Sequence, residues 1–127
     1  MFLLDTNVFF SVFKGHVDLT NWLAGLPDTH IDTVIYIECI QGNKANAEKR
    51  VIKRVLDAFP CLPLTPAIGA RALKLIDQYS NSYNLLLPDA LIAASALENG
   101  LSLITYNLKD FQFIAGLSVS APPFPQI

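Results

Sequence analysis

Phe2-Leu3-Leu4 is an uninterrupted apolar run that meets Asp5-Thr6-Asn7 with no spacer. A strand with one wet face alternates apolar and polar residues, whereas a continuous apolar run suits a strand covered on both faces, as in a parallel sheet between helices. The carboxylate at its end then needs a reason, because charge is costly to hold beside apolar surroundings. Glu38, Asp89 and Asp110 repeat the arrangement at the ends of other apolar segments. Four acids at strand and helix ends suggest a site built at one rim of an α/β sheet, and divalent metal coordination would supply their counter-charge.

The remaining pattern supports such a sheet. Helices are expected at Val8 to Phe13 and at Leu19 to Leu26, the second stopped by Pro27. A strand over Ile31 to Thr33 leads into a helix over Val34 to Ile40 that carries Glu38, with Gly42-Asn43 as its stop. Ala45 to Ala58 reads as a longer helix, followed by a short strand at Cys61 to Leu64. Pro66 opens a further helix with an apolar face of Ile68, Ala72, Leu75, Ile76 and Tyr79, and Ser80 to Asn84 breaks its period. Pro88-Asp89 has the character of a first helical turn, and the alanine-rich segment behind it should be buried on more than one side. Leu101 to Thr105 is expected as a strand, Leu108 to Ile114 as a short helix and Leu117 to Val119 as the last strand. The fold expected is a three-layer α/β/α domain with a central, mostly parallel sheet over residues 1–121, followed by a proline-rich tail at 122–127.

Composition narrows the function. At 127 residues and 52% hydrophobic content the chain fits one folded domain. It has no apolar run near the roughly 20 residues a membrane helix needs, and no secretory signal pattern, so a cytoplasmic location is expected. Cys39 and Cys61 form no zinc or redox motif and read as two buried thiols; His16 and His30 belong to no ligand motif. A net charge of -2 excludes attachment to nucleic acid by the overall field. A polynucleotide would have to be met locally, and Lys44, Lys49, Arg50, Lys53 and Arg54 offer either a surface for RNA backbone or an ordinary solvated helix face opposite Val51, Ile52, Val55, Leu56 and Phe59.

Four segments together resemble the PIN-domain ribonucleases, in particular the VapC toxins of bacterial VapBC toxin-antitoxin systems. They are Leu3-Leu4-Asp5-Thr6-Asn7-Val8, Ile37-Glu38-Cys39-Ile40-Gln41-Gly42, Pro88-Asp89-Ala90-Leu91-Ile92-Ala93-Ala94 and Leu103-Ile104-Thr105-Tyr106-Asn107-Leu108-Lys109-Asp110-Phe111. The resemblance implies that Asp5, Glu38 and Asp89 are the three principal acids, converging within reach of Mg2+ or Mn2+, with Asp110 nearby. Many relatives carry an acid at the position of Asn107, so Asp110 would act through water or by placing the metal while Asn107 organises the same corner. Many also carry a hydroxyl three residues before Glu38, where this chain has Ile35. Asn7 and Thr105 are expected to orient the acids.

The activity implied is metal-dependent endoribonuclease hydrolysis, leaving a 5′-phosphate and a 3′-hydroxyl on a transfer or ribosomal RNA. A VapB-like antitoxin would restrain it, placing an arginine near the acids. Phe9, Phe10, Phe13 and Trp22 are candidates to meet that antitoxin or a second copy in a homodimer. Two alternatives remain open. Haloacid-dehalogenase-like phosphatases also begin with an apolar strand and an acid, but their second aspartate is replaced here by Asn7. A PIN fold that only binds or regulates a partner is the other.

Overall fold

The computed structural model describes residues 1–41 and 45–127. The stop expected at Gly42-Asn43, and Lys44, lie outside them. Five strands form one sheet: β1 (Phe2–Leu4), β2 (Thr29–Asp32), β3 (Cys61–Leu62), β4 (Ser102–Ile104) and β5 (Val119–Ser120), in the order β3-β2-β1-β4-β5. Every pairing is parallel, with Leu3 opposite His30 on one side and Leu103 on the other. Leu3, Leu4, Ile31, Leu103 and Ile104 are buried, and β1, with Leu3 and Leu4 both covered, is the strand that reads as a continuous apolar run.

Six α-helices connect the strands among the described residues: α1 (Thr6–Phe13), α2 (Val17–Gly25), α3 (Thr33–Ile40), α4 (Asn46–Leu56), α5 (Pro66–Tyr83) and α6 (Leu87–Asn99). The chain builds outward from β1 through β2 to β3, then returns past β1 to lay down β4 and β5. Right-handed crossovers put the outbound and returning helices on opposite faces, giving the α/β/α layering. The strand order reverses between β1 and β4, and in open parallel sheets the crevice beyond the strand ends at such a reversal is where ligands bind.

Boundaries move for local reasons. Helix α1 begins at Thr6 rather than Val8, because the Asp5 side chain caps it by accepting the Thr6 N–H. Helix α5 continues through the segment expected to break it and stops at Asn84, whose φ of 54° ends the helix in the left-handed region. Tyr83 in that extension, like Tyr79 just before it, packs on Phe113, the Tyr83 ring stacked at 4.3 Å. The helix expected at Leu108 to Ile114 is a single 3-10 turn, Leu108–Asp110, followed by turns. Phe111 and Ile114 anchor that segment in the core. Helix α6 buries Ala90, Ile92, Ala93, Ala94 and Ala96, so its small side chains are covered around most of its girth.

Cys39 is buried, but Cys61 is exposed at an outer strand, a departure from the two buried thiols expected. The residues after β5 have no regular structure yet lie over α1 and α2. Phe124 meets His16 and Trp22 edge-on at 5.7 and 6.3 Å, and Ser11 and Lys14 donate to the Ile127 carbonyl. The His16 Nδ1 accepts the Leu19 N–H at the start of α2, leaving Nε2 to donate to the Pro125 carbonyl at 3.1 Å. His16 is therefore engaged in structure on both ring nitrogens. Among the described residues no helix is long and apolar enough to cross a membrane.

Candidate active site

The rim beyond β1 and β4 is held by a small polar network. Asp5 follows β1 directly, and its backbone N–H still bonds the Ile104 carbonyl of β4 at 2.9 Å. Its Oδ1 accepts the Thr6 N–H at 2.7 Å; its Oδ2 accepts the Thr105 hydroxyl at 2.8 Å and the Asn7 Nδ2 at 3.2 Å. A carboxylate oxygen has two acceptor sites, so these bonds fill Oδ2 and leave one direction open on Oδ1. Asp5 is thus both the cap of α1 and a side chain locked in one orientation.

Asn7 and Thr105 do the locking. The Thr105 hydroxyl donates to Asp5 and accepts from Asn7 Nδ2 and the Asn107 N–H, each at 3.0 Å, which exhausts its capacity. Asn7 Oδ1 accepts the Tyr106 N–H at 3.0 Å, tying the loop after β4 to the start of α1. Asn107 joins this corner through its backbone, and its side chain makes no capping bond to the turn that follows.

Glu38 reaches the same rim from α3, where its Oε1 accepts the Thr6 hydroxyl at 2.7 Å. Thr6 therefore joins two acids, by its N–H to Asp5 and its hydroxyl to Glu38. Sequence reasoning could give Thr6 only a role at exposed backbone groups, because the bond to Glu38 spans 32 residues. Asp89 arrives from the first turn of α6 and Asp110 from the 3-10 turn after β4.

These acids feel one another. Burial, then the charges of Asp5, Asp110 and Glu38, push the Asp89 carboxyl up to about 7. Asp5 is also raised, chiefly by burial and further by Glu38 and Asp110, against the lowering effect of its bonds from Thr105 and Thr6. The fold thus brings Asp5, Glu38, Asp89 and Asp110 into electrostatic range at the sheet's reversal point. It does not draw them into a closed cage: among the described residues no three Asp, Glu, His or Cys side chains are gathered closely enough to hold a metal ion by themselves. The donor set nonetheless suits a hard divalent cation, being all oxygen, strongly anionic and partly shielded from water.

A fifth acid lies beneath. Asp32 at the end of β2 is fully buried, caps α3 by accepting the Ile35 N–H at 2.8 Å, and is pushed up to about 6. Burial is the main cause, and the charges of Asp5 and Glu38 add to it. Ser95 of α6 lies near enough to favour the charged form, but off bonding geometry: Asp32 Oδ2 and Ser95 Oγ are both buried without a partner among the described residues. An aspartate before a helix reads as a cap in any sequence, which is why its place under the site was not legible.

A PIN-domain family profile matches residues 2–117. The chain belongs to the PIN-domain family. Ribonuclease VapC10 of Mycobacterium tuberculosis is 34% identical over 128 residues, covering 98% of this PIN domain's chain and 93% of that protein. Ribonuclease VapC1 of Rickettsia felis is 30% identical over 125 residues, covering 92% of each. Among solved structures, a toxin-antitoxin complex from Klebsiella pneumoniae matches with a TM-score of 0.79 at 30% identity, covering 94% of this chain and 96% of that one. VapBC2 from Rickettsia felis, bound to a DNA fragment from its promoter, has the same fold at a TM-score of 0.80 and 19% identity, covering 94% and 97%. The parallel five-stranded sheet and six helices of this PIN domain, counted among the described residues, agree with the fold of those neighbours.

Of the aromatic side chains expected to meet a partner, Phe9 is in the core, edge-on to Phe59 at 5.3 Å. Phe13 and Trp22 are half-buried, and Phe10 is exposed. Phe10, Val12 and Phe13 of α1 face Val51, Ile52 and Val55 of α4 across an apolar groove of 640 Å3.

Proposed function

We propose that this PIN domain is an endoribonuclease toxin of the VapC type. It hydrolyses RNA phosphodiester bonds to a 5′-phosphate and a 3′-hydroxyl with Mg2+ or Mn2+, acts in the cytoplasm, and is restrained by a small VapB-like antitoxin. The observation that carries this reading is the gathering of four acids far apart in sequence at the sheet's reversal point, where burial, and then the charges of Asp5, Asp110 and Glu38, push Asp89 up to about 7. Such crowding of acids lowers stability and is characteristic of functional sites. The ribonuclease relatives and the toxin-antitoxin complex support its substrate class and partner.

When bound, a hard divalent cation supplies positive charge that polarises the phosphate and lowers the pKa of an attacking water. Asp5, Glu38 and Asp89 would hold it, with Asp110, more exposed, contributing through an outer position. Asp5 is held in one orientation by Thr6, Asn7 and Thr105, so that part of the site is organised in advance. Thr6 holds Glu38 toward Asp5. Asp89 sits on a buried helix rather than a loop, and its carboxyl, pushed up to about 7 chiefly by burial, would have to be deprotonated to hold a cation.

The apolar groove between α1 and α4 suits an antitoxin segment with apolar side chains, and an arginine beside Asp5, Glu38 or Asp89 would compete for their charge. A homodimer would cover a second exposed apolar surface, where Leu73, Leu86 and Leu87 stand at α5 and the start of α6.

The test is RNA cleavage by purified wild type and Asp89→Asn with Mg2+, with Mn2+ and with EDTA, followed by sequencing of product ends. Asparagine preserves size and polarity but removes the charge. The variant should remain folded and lose cleavage by on the order of 100-fold or more. Equal cation-dependent cleavage by both proteins would remove Asp89 from the site.

A further inference from the structure

We propose that the outer face of α4, carrying Arg50, Lys53 and Arg54, is a docking surface for the phosphate backbone of single-stranded RNA running toward the acidic rim. The inference rests on the ribonuclease reading and adds where the polyanion is held. Helix α4 has two opposed faces. Glu48, Val51, Ile52 and Val55 line the apolar groove against α1, whereas Arg50, Lys53 and Arg54 are on the opposite side, exposed, around a shallow hollow of 500 Å3. The i, i+3, i+4 spacing makes these three cations neighbours, with Cβ atoms about 5–6 Å apart.

Among the described residues they have no ion-pair partner: the ion pairs are Arg71 with Glu98 and the His30 contact with Asp28. Asp57, the acid at the edge of the hollow, makes no ion pair with them and accepts the Tyr36 hydroxyl from α3 at 2.9 Å. Tyr36 stands two residues before Glu38 on the same helix, so the cationic face adjoins the element that delivers an acid to the rim.

Charge balance favours a polyanion here. The chain carries -2 overall, and its candidate site is a group of carboxylates that repels phosphate until a cation is present. An RNA strand therefore needs positive charge outside the site, and unpaired guanidinium and ammonium groups on a convex helix supply it without base preference. An acidic polypeptide is the competing partner. The apolar groove on the reverse face of α4 is the better protein-docking surface, and it leaves the cationic face open.

The experiment compares wild type with the triple variant Arg50→Gln/Lys53→Gln/Arg54→Gln, using a fluorescein-labelled single-stranded RNA in EDTA and fluorescence anisotropy over a salt series. A charge-conserving Arg50→Lys/Arg54→Lys variant and an Arg71→Gln/Lys74→Gln variant on α5 serve as controls, and thermal unfolding verifies each fold. Loss of three phosphate contacts should flatten the log-log salt dependence by about 2, so that wild type loses about 20-fold more affinity than the triple variant between 50 and 200 mM salt. Both controls should follow wild type. With Mg2+, the triple variant should raise KM for a long RNA with kcat unchanged.

An unchanged salt slope in the folded triple variant would overturn the proposal, even with wild-type cleavage intact. A variant that keeps its RNA slope but no longer binds poly-glutamate would overturn it in favour of an acidic protein partner. Failure of wild type to cleave RNA with any cation would count against the ribonuclease reading, while the salt slopes would still decide whether this face holds RNA.

Discussion

Replacing Asp32 with asparagine should stabilise the metal-free protein at neutral pH and leave it nearly unchanged in acid. Asp32 is fully buried beneath the rim, and its carboxyl is raised from 3.8 to about 6, chiefly by burial and further by Asp5 and Glu38. That difference of roughly two pKa units corresponds to about 3 kcal/mol between the protonation states. Because the folded carboxyl holds its proton more tightly than the unfolded one, the favourable contribution is complete below about pH 4 and is lost as the pH rises through about 6. Asparagine keeps an oxygen to accept the Ile35 N–H and cannot ionise, so it preserves the cap and removes the penalty. Urea unfolding of both proteins in EDTA at pH 4 and pH 7.5 measures the effect. Asp5 and Asp89 titrate in both proteins and largely cancel in the comparison. The variant should gain about 2–3 kcal/mol over wild type at pH 7.5 and close to nothing at pH 4. A difference independent of pH, or a variant less stable at pH 7.5, would refute the claim that Asp32 is an acid ionised at a cost.

Two further outcomes follow from the same network. Thr105→Val removes the hydroxyl that donates to Asp5 and accepts from Asn7 and Asn107, so it should cost about 1–3 kcal/mol in denaturant unfolding and lower RNA cleavage, with Thr105→Ser restoring both. Mg2+ or Mn2+ should raise the unfolding temperature of wild type more at pH 8 than at pH 5.5, because Asp89, near 7 without a cation, must lose a proton to bind one; Asp89→Asn should flatten this dependence.

Much of the fold is written in local patterns. Phe2–Leu4 is a strand because a continuous apolar run of that length is buried on both faces, Leu103 and Ile104 of β4 are buried beside it, and the register of the two sets Asp5 beside Thr105. Pro66, Pro88 and Gly100 punctuate α5 and α6 as their backbone chemistry requires, Gly100 taking a φ of 65° at the end of α6. Other features depend on contacts distant in sequence. The last turn of α5 survives a polar stretch because Tyr83 stacks on Phe113, and the segment after Leu108 stops short of an α-helix with Phe111 and Ile114 anchored in the core. At the site, the acids were recognisable individually by their places after apolar runs and jointly by family resemblance. The Thr6 bond to Glu38 and the burial of Asp32 opposite Ser95 were not, since each joins elements that only the folded sheet brings together.

The central claim is that acids from β1's exit, α3 and α6 hold one hard cation. Crystals of the wild-type protein soaked in Mn2+ and measured at the manganese absorption edge test it most directly. The account predicts an anomalous peak bonded to carboxylate oxygens of Asp5, Glu38 and Asp89 at about 2–2.5 Å, with Asp110 farther out, and no such peak in Asp89→Asn crystals. No peak at this rim in wild type, or a peak held by other residues, would contradict it.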